Sequence, residues 1–399
     1  LGENLIGPWE RGNHLLFSSA GQAQFFDSQA SDAHDRGLPV RIAVDFQSTQ
    51  GHKTGIGSAA AGLVAAMRAQ NSGIEFLCYT RPSPKDLSVP GRILWESFEI
   101  PLRALRDKVD AIYSPGFAPA ILSPKPQIVT VHDVIGLAYP SNQKGASRFY
   151  WSRWLPAALG RARRLVASSE STRRDIERFL KIPENKISVV PLHVSSFFRK
   201  LNDKGRITAV LEKYGLGSGP FFISVGTLEP RKNLINLLRA CESLRGQNRL
   251  DFDLVIAGKP GTAQKELVSF IKERGLQSRV KILGYASDEE LAGLYNAAMG
   301  LVCLSLYEGF GLTVLEGMSC GISGVVSKRS SLPEVAGDAA ILVDPENTDE
   351  IAEALNTYAS DATLRRRLGE AALQRSREFS AEKTAQSMIE IFKQELGKP

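Results

Sequence analysis

Short apolar, β-branched runs alternate with longer stretches of helical period along most of this chain. Residues 40–46, 74–79, 111–114, 127–131, 165–168 and 187–190 read as buried strands, with a helix over 58–70 between the first two. The rhythm then restarts. Strands are predicted at 221–225, 252–257, 280–283, 300–304, 324–327 and 340–343, and helices at 234–245, 264–274, 288–297 and 313–320. A long amphipathic helix over 381–396 comes last. Strands joined by helices make βαβ units and parallel sheets, so the fold class is α/β. The pause between the two series, 191–206, predicts two doubly wound, Rossmann-like domains, 39–195 and 196–380, with 381–399 as a terminal helix. A chain of 399 residues that is 43% hydrophobic is long for one core, which agrees. Residues 1–38 are polar with scattered aromatics (Trp9, Phe17, Phe25, Phe26) and read as an N-terminal arm.

Two such sheets leave a cleft between the C-terminal edges of their strands. Ligands of open α/β sheets bind at that edge. Functional residues should therefore follow strands directly.

Composition narrows the classes. No window holds the roughly 18 consecutive apolar residues of a membrane span, and the first residues lack the charged-then-apolar layout of a secretory signal. The four cysteines (Cys78, Cys241, Cys303, Cys320) are scattered without C-x-x-C spacing, which argues against a disulfide frame or a zinc site. A cytoplasmic location is expected, or a peripheral one on the inner face of the cytoplasmic membrane. Charge is uneven. Residues 39–195 carry 21 Lys and Arg against 12 Asp and Glu, or +9; residues 196–399 carry 26 against 26; residues 1–38 carry 2 against 5, or −3. A basic first half suits an anionic partner such as a membrane surface, a lipid diphosphate or an acidic glycan; a merely solvated basic surface is the alternative. No nucleic-acid partner is expected.

The most informative stretch runs from Leu304 to Gly321, after a strand and into a helix. Gly309 and Gly311 let the backbone approach a ligand, and the helix start presents N–H groups that suit a phosphate. Glu308 and Glu316 each offer two acceptor oxygens, enough to grip a diol. Thr313-x-x-Glu316 also fits a capping box, which would make Glu316 a helix-start device. Residues 308–321, Glu-Gly-Phe-Gly-Leu…Glu-Gly-Met…Cys-Gly, with the following Ser330-Ser-Leu-Pro-Glu-Val-Ala-Gly, resemble the donor-site signature of retaining glycosyltransferases of family 4. Ile322-Ser323-Gly324 stands where that family usually has Thr-Pro. The resemblance covers roughly residues 40–396. It implies a GT-B fold, with the last helix crossing back to the first domain, and a nucleotide-sugar donor. Glu308 would contact the transferred sugar and Glu316 the nucleotide ribose. Gly309, Phe310, Gly311 and Leu312 would line the donor site.

A second motif opens the second domain. After strand 221–225, Gly226 turns the chain and Arg231 and Lys232 precede a helix. Cations fixed at that edge would stabilise the charge left on a departing nucleoside diphosphate. Lys232 matches the family lysine; Thr227 stands where the family often places its arginine, and Arg231 is assigned that part. Solvated helix-start charges are the alternative reading.

In the first domain, Gly55 and Gly57 lie in a glycine-rich segment between strand and helix, which is a phosphate cradle by its physics. A dehydrogenase fingerprint fails there. The first glycine comes nine residues after Phe46, and Tyr79-Thr80-Arg81 ends the second strand with no acidic residue for a ribose. The resemblance assigns the segment to the donor diphosphate. His132 and Asp133 end strand 127–131; by the resemblance His132 orients the donor sugar, and Asp133 orients His132 or meets the acceptor. The aromatic, basic segment 147–164 reads either as a half-buried helix or as a face for an anionic membrane, with Arg161, Arg163 and Arg164 as its contacts.

Asp251-Phe-Asp253 has the form of a metal-binding D-x-D motif but sits where a strand begins, at the wrong edge. No cofactor and no obligatory metal are expected. The function predicted is transfer of a hexose with retention, from GDP-mannose or else a UDP-hexose, to a glycan or lipid-linked saccharide of bacterial surface polysaccharide. A nucleotide-sugar epimerase or hydrolase and a non-catalytic sugar-nucleotide binding module are the alternatives. As a loop residue, Glu308 is expected to tolerate alanine without loss of fold.

Overall fold

The computed structural model describes residues 39–47, 55–81, 87–116, 119–139 and 145–397. Residues 1–38, and the segment 48–54 ahead of the first helix, lie outside them. Pro39–Pro399 form one compact unit.

Twelve strands build two parallel sheets. The first holds β1 (Val40–Asp45), β2 (Ile74–Tyr79), β3 (Ala111–Ser114), β4 (Gln127–Val131), β5 (Arg164–Ala167) and β6 (Ile187–Val189), in the order β2-β1-β3-β4-β5-β6. The second holds β7 (Phe221–Val225), β8 (Asp253–Ala257), β9 (Val280–Gly284), β10 (Gly300–Cys303), β11 (Gly324–Ser327) and β12 (Ile341–Val343), in the order β12-β11-β10-β7-β8-β9. Every pairing is parallel. The strand rhythm of the sequence is thus observed, with ends moved by a residue or so. In the second sheet the strand order reverses between β7 and β10. A crevice must open there, since the connections leave toward opposite sides.

Six helices frame the crevice or brace the first sheet behind it. α1 (Gly55–Ala69) starts three residues earlier than its pattern suggests, so Gly55 and Gly57 stand in its first turn rather than in a loop. α2 runs through Val89–Leu94, Trp95–Glu99 and Ile100–Arg106, and α3 through Gly145–Phe149, Tyr150–Trp154 and Leu155–Arg161. Each contains one wide turn, closed by Ile100 N–H on the Trp95 carbonyl and by Leu155 N–H on that of Tyr150. The cause is the next residue, Pro101 or Pro156. Proline has no N–H, and its ring collides with the carbonyl four residues back. Widening the turn relieves the collision without ending the helix. α4 continues from Glu170–Asp175 through Ile176–Leu180 and is capped by Ser169, whose Oγ accepts the Thr172 N–H. α5 is Leu312–Ser319 and α6 is Ala381–Leu396.

α6 comes after the second sheet in sequence but packs on the first. Its Ala385, Met388, Ile391 and Phe392 join Ile42, Val44, Tyr113 and Val166 in one buried cluster. Phe392 meets Tyr113 edge-on at 5.3 Å. Near its end, Glu395 is 6% exposed and accepts Arg163 Nε at 2.8 Å and Arg164 Nε at 2.7 Å. These guanidiniums hold Glu395 below the usual carboxylate range against the opposing effect of burial. This corrects the membrane role considered for Arg163 and Arg164: both fasten the last helix to the start of β5. A charge-assisted hydrogen bond contributes about 1.5–3 kcal/mol. Glu395→Ala is therefore expected to cost about 2 kcal/mol in urea unfolding; a change under about 0.5 kcal/mol would contradict this fastening.

Candidate active site

The residues after β7 and β10 meet in the crevice where the second sheet reverses. Gly226 ends β7, and the chain makes one tight turn through Pro230–Lys232. Lys232 then folds back over Gly226, whose φ is 147°; a Cβ there would lie 2.6 Å from Lys232 Cε. A side chain at Gly226 would displace the lysine.

After β10 comes Ser305, then Glu308. Lys232 Nζ lies 2.7 Å from Glu308 Oε1, Arg231 Nη1 3.0 Å from it, and Ser305 Oγ donates to the same oxygen at 2.6 Å. Lys232 is 11% and Glu308 14% exposed, so neither is a solvated surface charge. Burial pushes the Glu308 carboxyl up, but Lys232 and Arg231 outweigh it and hold it at about 2. The carboxylate is ionised at every working pH. This corrects the expectation that Glu308 tolerates alanine: its removal strands two cations of which one is nearly buried, a change that costs about 3 kcal/mol.

Glu316 sits in the second turn of α5. The cap of that helix is Gly311, with no side-chain bond, so the capping-box reading of Thr313 and Glu316 does not hold. Glu316 Oε2 instead accepts the Tyr295 hydroxyl at 3.0 Å. Burial pushes its carboxyl up to about 8, with Asp288 adding to the effect. The two glutamates thus differ in charge at neutral pH, one ionised and one protonated.

The first half closes over this pair. Gly309 packs so tightly on it that a Cβ would lie 1.9 Å from the His132 carbonyl oxygen. The Gly309 carbonyl accepts Ser169 Oγ at 2.6 Å and Thr172 Oγ1 at 2.9 Å, while Ser168 Oγ donates to the His132 carbonyl at 2.8 Å. Tyr307 donates to Asp175 Oδ2 at 2.9 Å. Glu334 accepts the N–H groups of Glu170 and Ser171 at 2.8 and 2.7 Å, satisfying the open start of α4.

His132 is buried, and Nε2 donates to the Pro115 carbonyl at 2.7 Å. Burial pushes the imidazole down to about 4, so the ring is neutral with its proton on Nε2 and Nδ1 an acceptor. Pro115, not Asp133, holds Nε2. Asp133 Oδ1 accepts the Ile135 N–H at 3.0 Å; burial raises its carboxyl, with Arg231 opposing.

One cavity of about 420 Å³ collects these groups. His132, Asp133, Gly226, Arg231, Lys232 and Glu308 line it, along with Gly309 to Leu312 and Glu316. Gly55 and Gly57 are not among its lining. Phe310 faces it from a ring packed edge-on against Phe379. Lys259 and Tyr285 line it too, with the ammonium 5.2 Å from the ring centre. No motif in the sequence singles out these two, nor Ser305, though each lies within two residues of the end of a strand of the second sheet. Asp253 opens β8 at the far edge and pairs with Arg279 at 3.3 Å, away from the cavity. Among the described residues no three His, Cys, Asp or Glu side chains are grouped to hold a metal, and no helix is long and apolar enough to cross a membrane.

The model of the glycosyltransferase family 4 domain matches residues 44–195, and that of glycosyl transferases group 1 matches residues 209–375. The chain is 32% identical over 292 residues to O-antigen chain mannosyltransferase B of Escherichia coli, covering 73% of this chain and 76% of that protein. The chain belongs to the family 4 glycosyltransferases. It is also 30% identical over 279 residues to the serotype-specific mannosyltransferase WbdA of Escherichia coli, over 69% of this chain but about a third (34%) of that longer protein. The solved structure of Anabaena Alr3699/HepE with UDP and glucose has the same GT-B fold, with a TM-score of 0.67 and 17% identity, over 89% of this chain and 99% of that one.

The raised carboxyl of Glu316 has a measurable consequence. Above about pH 4.3 the unfolded chain gives up this proton, while the folded protein keeps it until about 8, so wild-type stability falls across that window. Glu316→Gln cannot ionise. Its melting temperature is expected to gain on wild type between about pH 5 and about pH 8; a constant difference would show that Glu316 titrates normally.

Proposed function

We propose that this glycosyltransferase moves a hexose from a nucleotide sugar to a glycan or lipid-linked saccharide, with retention at the anomeric carbon. The observation that carries the reading is the pairing of Glu308 with Lys232 and Arg231 at the reversal point of the second sheet. The two cations suit a nucleoside diphosphate, and the carboxylate beside them suits sugar hydroxyls. As the bond from C1 to the diphosphate breaks, charge grows on the leaving oxygen, and Arg231 and Lys232 are fixed to stabilise it. Glu316 is the ribose ligand in this reading; protonated, it can donate as well as accept.

No second carboxylate stands opposite Glu308 on the cavity wall as an evident nucleophile. We infer same-face attack: the acceptor oxygen bonds to C1, the leaving oxygen departs with its electron pair, and the acceptor proton passes to the diphosphate. Asp133 and neutral His132 face that chemistry from the first half, with His132 Nδ1 able to accept a sugar hydroxyl. The names of the relatives favour GDP-mannose as donor and a surface polysaccharide as product. The UDP and glucose in the Anabaena structure keep a UDP-hexose second. No cofactor and no obligatory metal belong to this mechanism, and the enzyme would work peripherally at the cytoplasmic face of the membrane.

Glu308→Gln keeps the shape of the site and the acceptors for its three donors. It is expected to lower kcat by about 100-fold or more, with the melting temperature nearly kept. The same assay, on GDP-mannose and UDP-glucose with EDTA present, reads donor, metal need and product anomer together. An inverted linkage, or activity lost in EDTA and restored by manganese, would refute the mechanism.

A further inference from the structure

Side chains alternate across a strand, so the buried clusters reveal which helices share a face of the first sheet. Ile42, Val44, Tyr113, Ile128 and Val166 point toward α1 and α6. Their neighbours point the other way. Ala43 and Ile112 meet Trp95, Ile100 and Ala104 of α2; Val129, Val131, Leu165 and Ala167 meet Tyr150, Leu155 and Leu159 of α3. α2 and α3 therefore lie on the same face, and Ile93 of α2 packs against the α3 cluster.

Their outer surface is unusual for a helix layer. Leu94, Phe98, Leu102 and Leu105 of α2 are 49% to 65% exposed, and Phe149 of α3 is 57% exposed. The α2 residues are spaced by four, four and three, and the wide turn at Trp95–Glu99 brings Leu94 and Phe98 nearly into line. They form one apolar stripe along a helix of five turns. A stripe of this kind is normally buried in a globular protein.

The charge beside it has one sign. Residues 134–169 contain six basic residues and no acidic one. Arg148 and Arg153 of α3 are exposed; Arg163 and Arg164 are bound to Glu395. The acidic residues of α2 and its end are withdrawn: Glu96 is buried, Glu99 pairs with Arg81, and Asp107 pairs with Arg106. An acidic protein or a soluble glycan would answer the arginines and leave the stripe in water. A bilayer with anionic headgroups answers both, with the apolar side chains below the headgroups and the arginines among them.

We propose that the outer face of α2 and α3 docks this enzyme on an anionic lipid bilayer, with Leu94, Phe98, Leu102 and Phe149 entering it and Arg148 and Arg153 at the headgroups. This gives the peripheral location a defined surface. It is independent of the donor chemistry, since vesicle binding reads the helix face and nucleotide-sugar binding reads the cavity.

The test is co-sedimentation of the full chain with vesicles of phosphatidylcholine, and of phosphatidylcholine with phosphatidylglycerol. Binding to the anionic vesicles is expected, weakening with salt, and at least about tenfold weaker for phosphatidylcholine alone. Phe98→Glu with Leu102→Glu, and separately Arg148→Glu with Arg153→Glu, should each weaken binding about tenfold or more. Both variants should keep the melting temperature and its rise on adding nucleotide sugar. No binding of wild type to anionic vesicles, or undiminished binding by the Phe98 and Leu102 variant, overturns the proposal. So does a dimer in sedimentation velocity that this variant dissolves while vesicles are ignored; the stripe would then belong to a second copy of the chain.

Discussion

A carboxylate taken out of water needs a counter-charge, and Glu308 has two. That requirement organises the centre of this molecule. Lys232 reaches it only because Gly226 leaves room above the end of β7, and Ser305 fixes the same oxygen from the end of β10. These strands are neighbours only because the second sheet reverses its order between them. Topology, backbone freedom and charge thus converge on one point. A diphosphate arriving there would meet cations already desolvated and held in place, so little reorganisation would remain to be done at the moment of reaction.

The same loop also joins the two halves. Tyr307, Gly309 and, farther along, Glu334 supply the second half's side of a polar joint, and the His132 backbone and the start of α4 supply the other. Polar groups at such a joint can part and be solvated more cheaply than a hydrophobic interface can. α6 is the contrasting element, bound to the first sheet by buried aliphatic and aromatic side chains. The first half is therefore fastened by apolar packing at the back of the molecule and by hydrogen bonds at the reactive front.

Much of this was legible in the sequence, for reasons that can be named. Buried parallel strands are continuous apolar runs, so β2, β3, β4, β7 and β11 were found to the residue. Glu308, Glu316 and Lys232 were legible because the strand-edge rule and the family signature point to the same positions. α2 was not, because Pro90 and Pro101 interrupt its pattern and an exposed apolar stripe does not look like half of an amphipathic helix. The partner of Arg163 and Arg164 lies more than 230 residues away, and no local pattern announces Glu395. The opposite charge states of the two glutamates were hidden for the same reason. They depend on Lys232, Arg231, Tyr295 and Asp288, which only the fold brings near.

The central claim is that the cations paired with Glu308 form a diphosphate site. Calorimetric titration of wild type and Lys232→Ala with a nucleoside diphosphate and with the matching nucleoside tests it most directly. The variant is expected to lose about tenfold or more in affinity for the diphosphate and almost nothing for the nucleoside. Equal loss for both, or none for either, would mean that Lys232 serves only to neutralise Glu308.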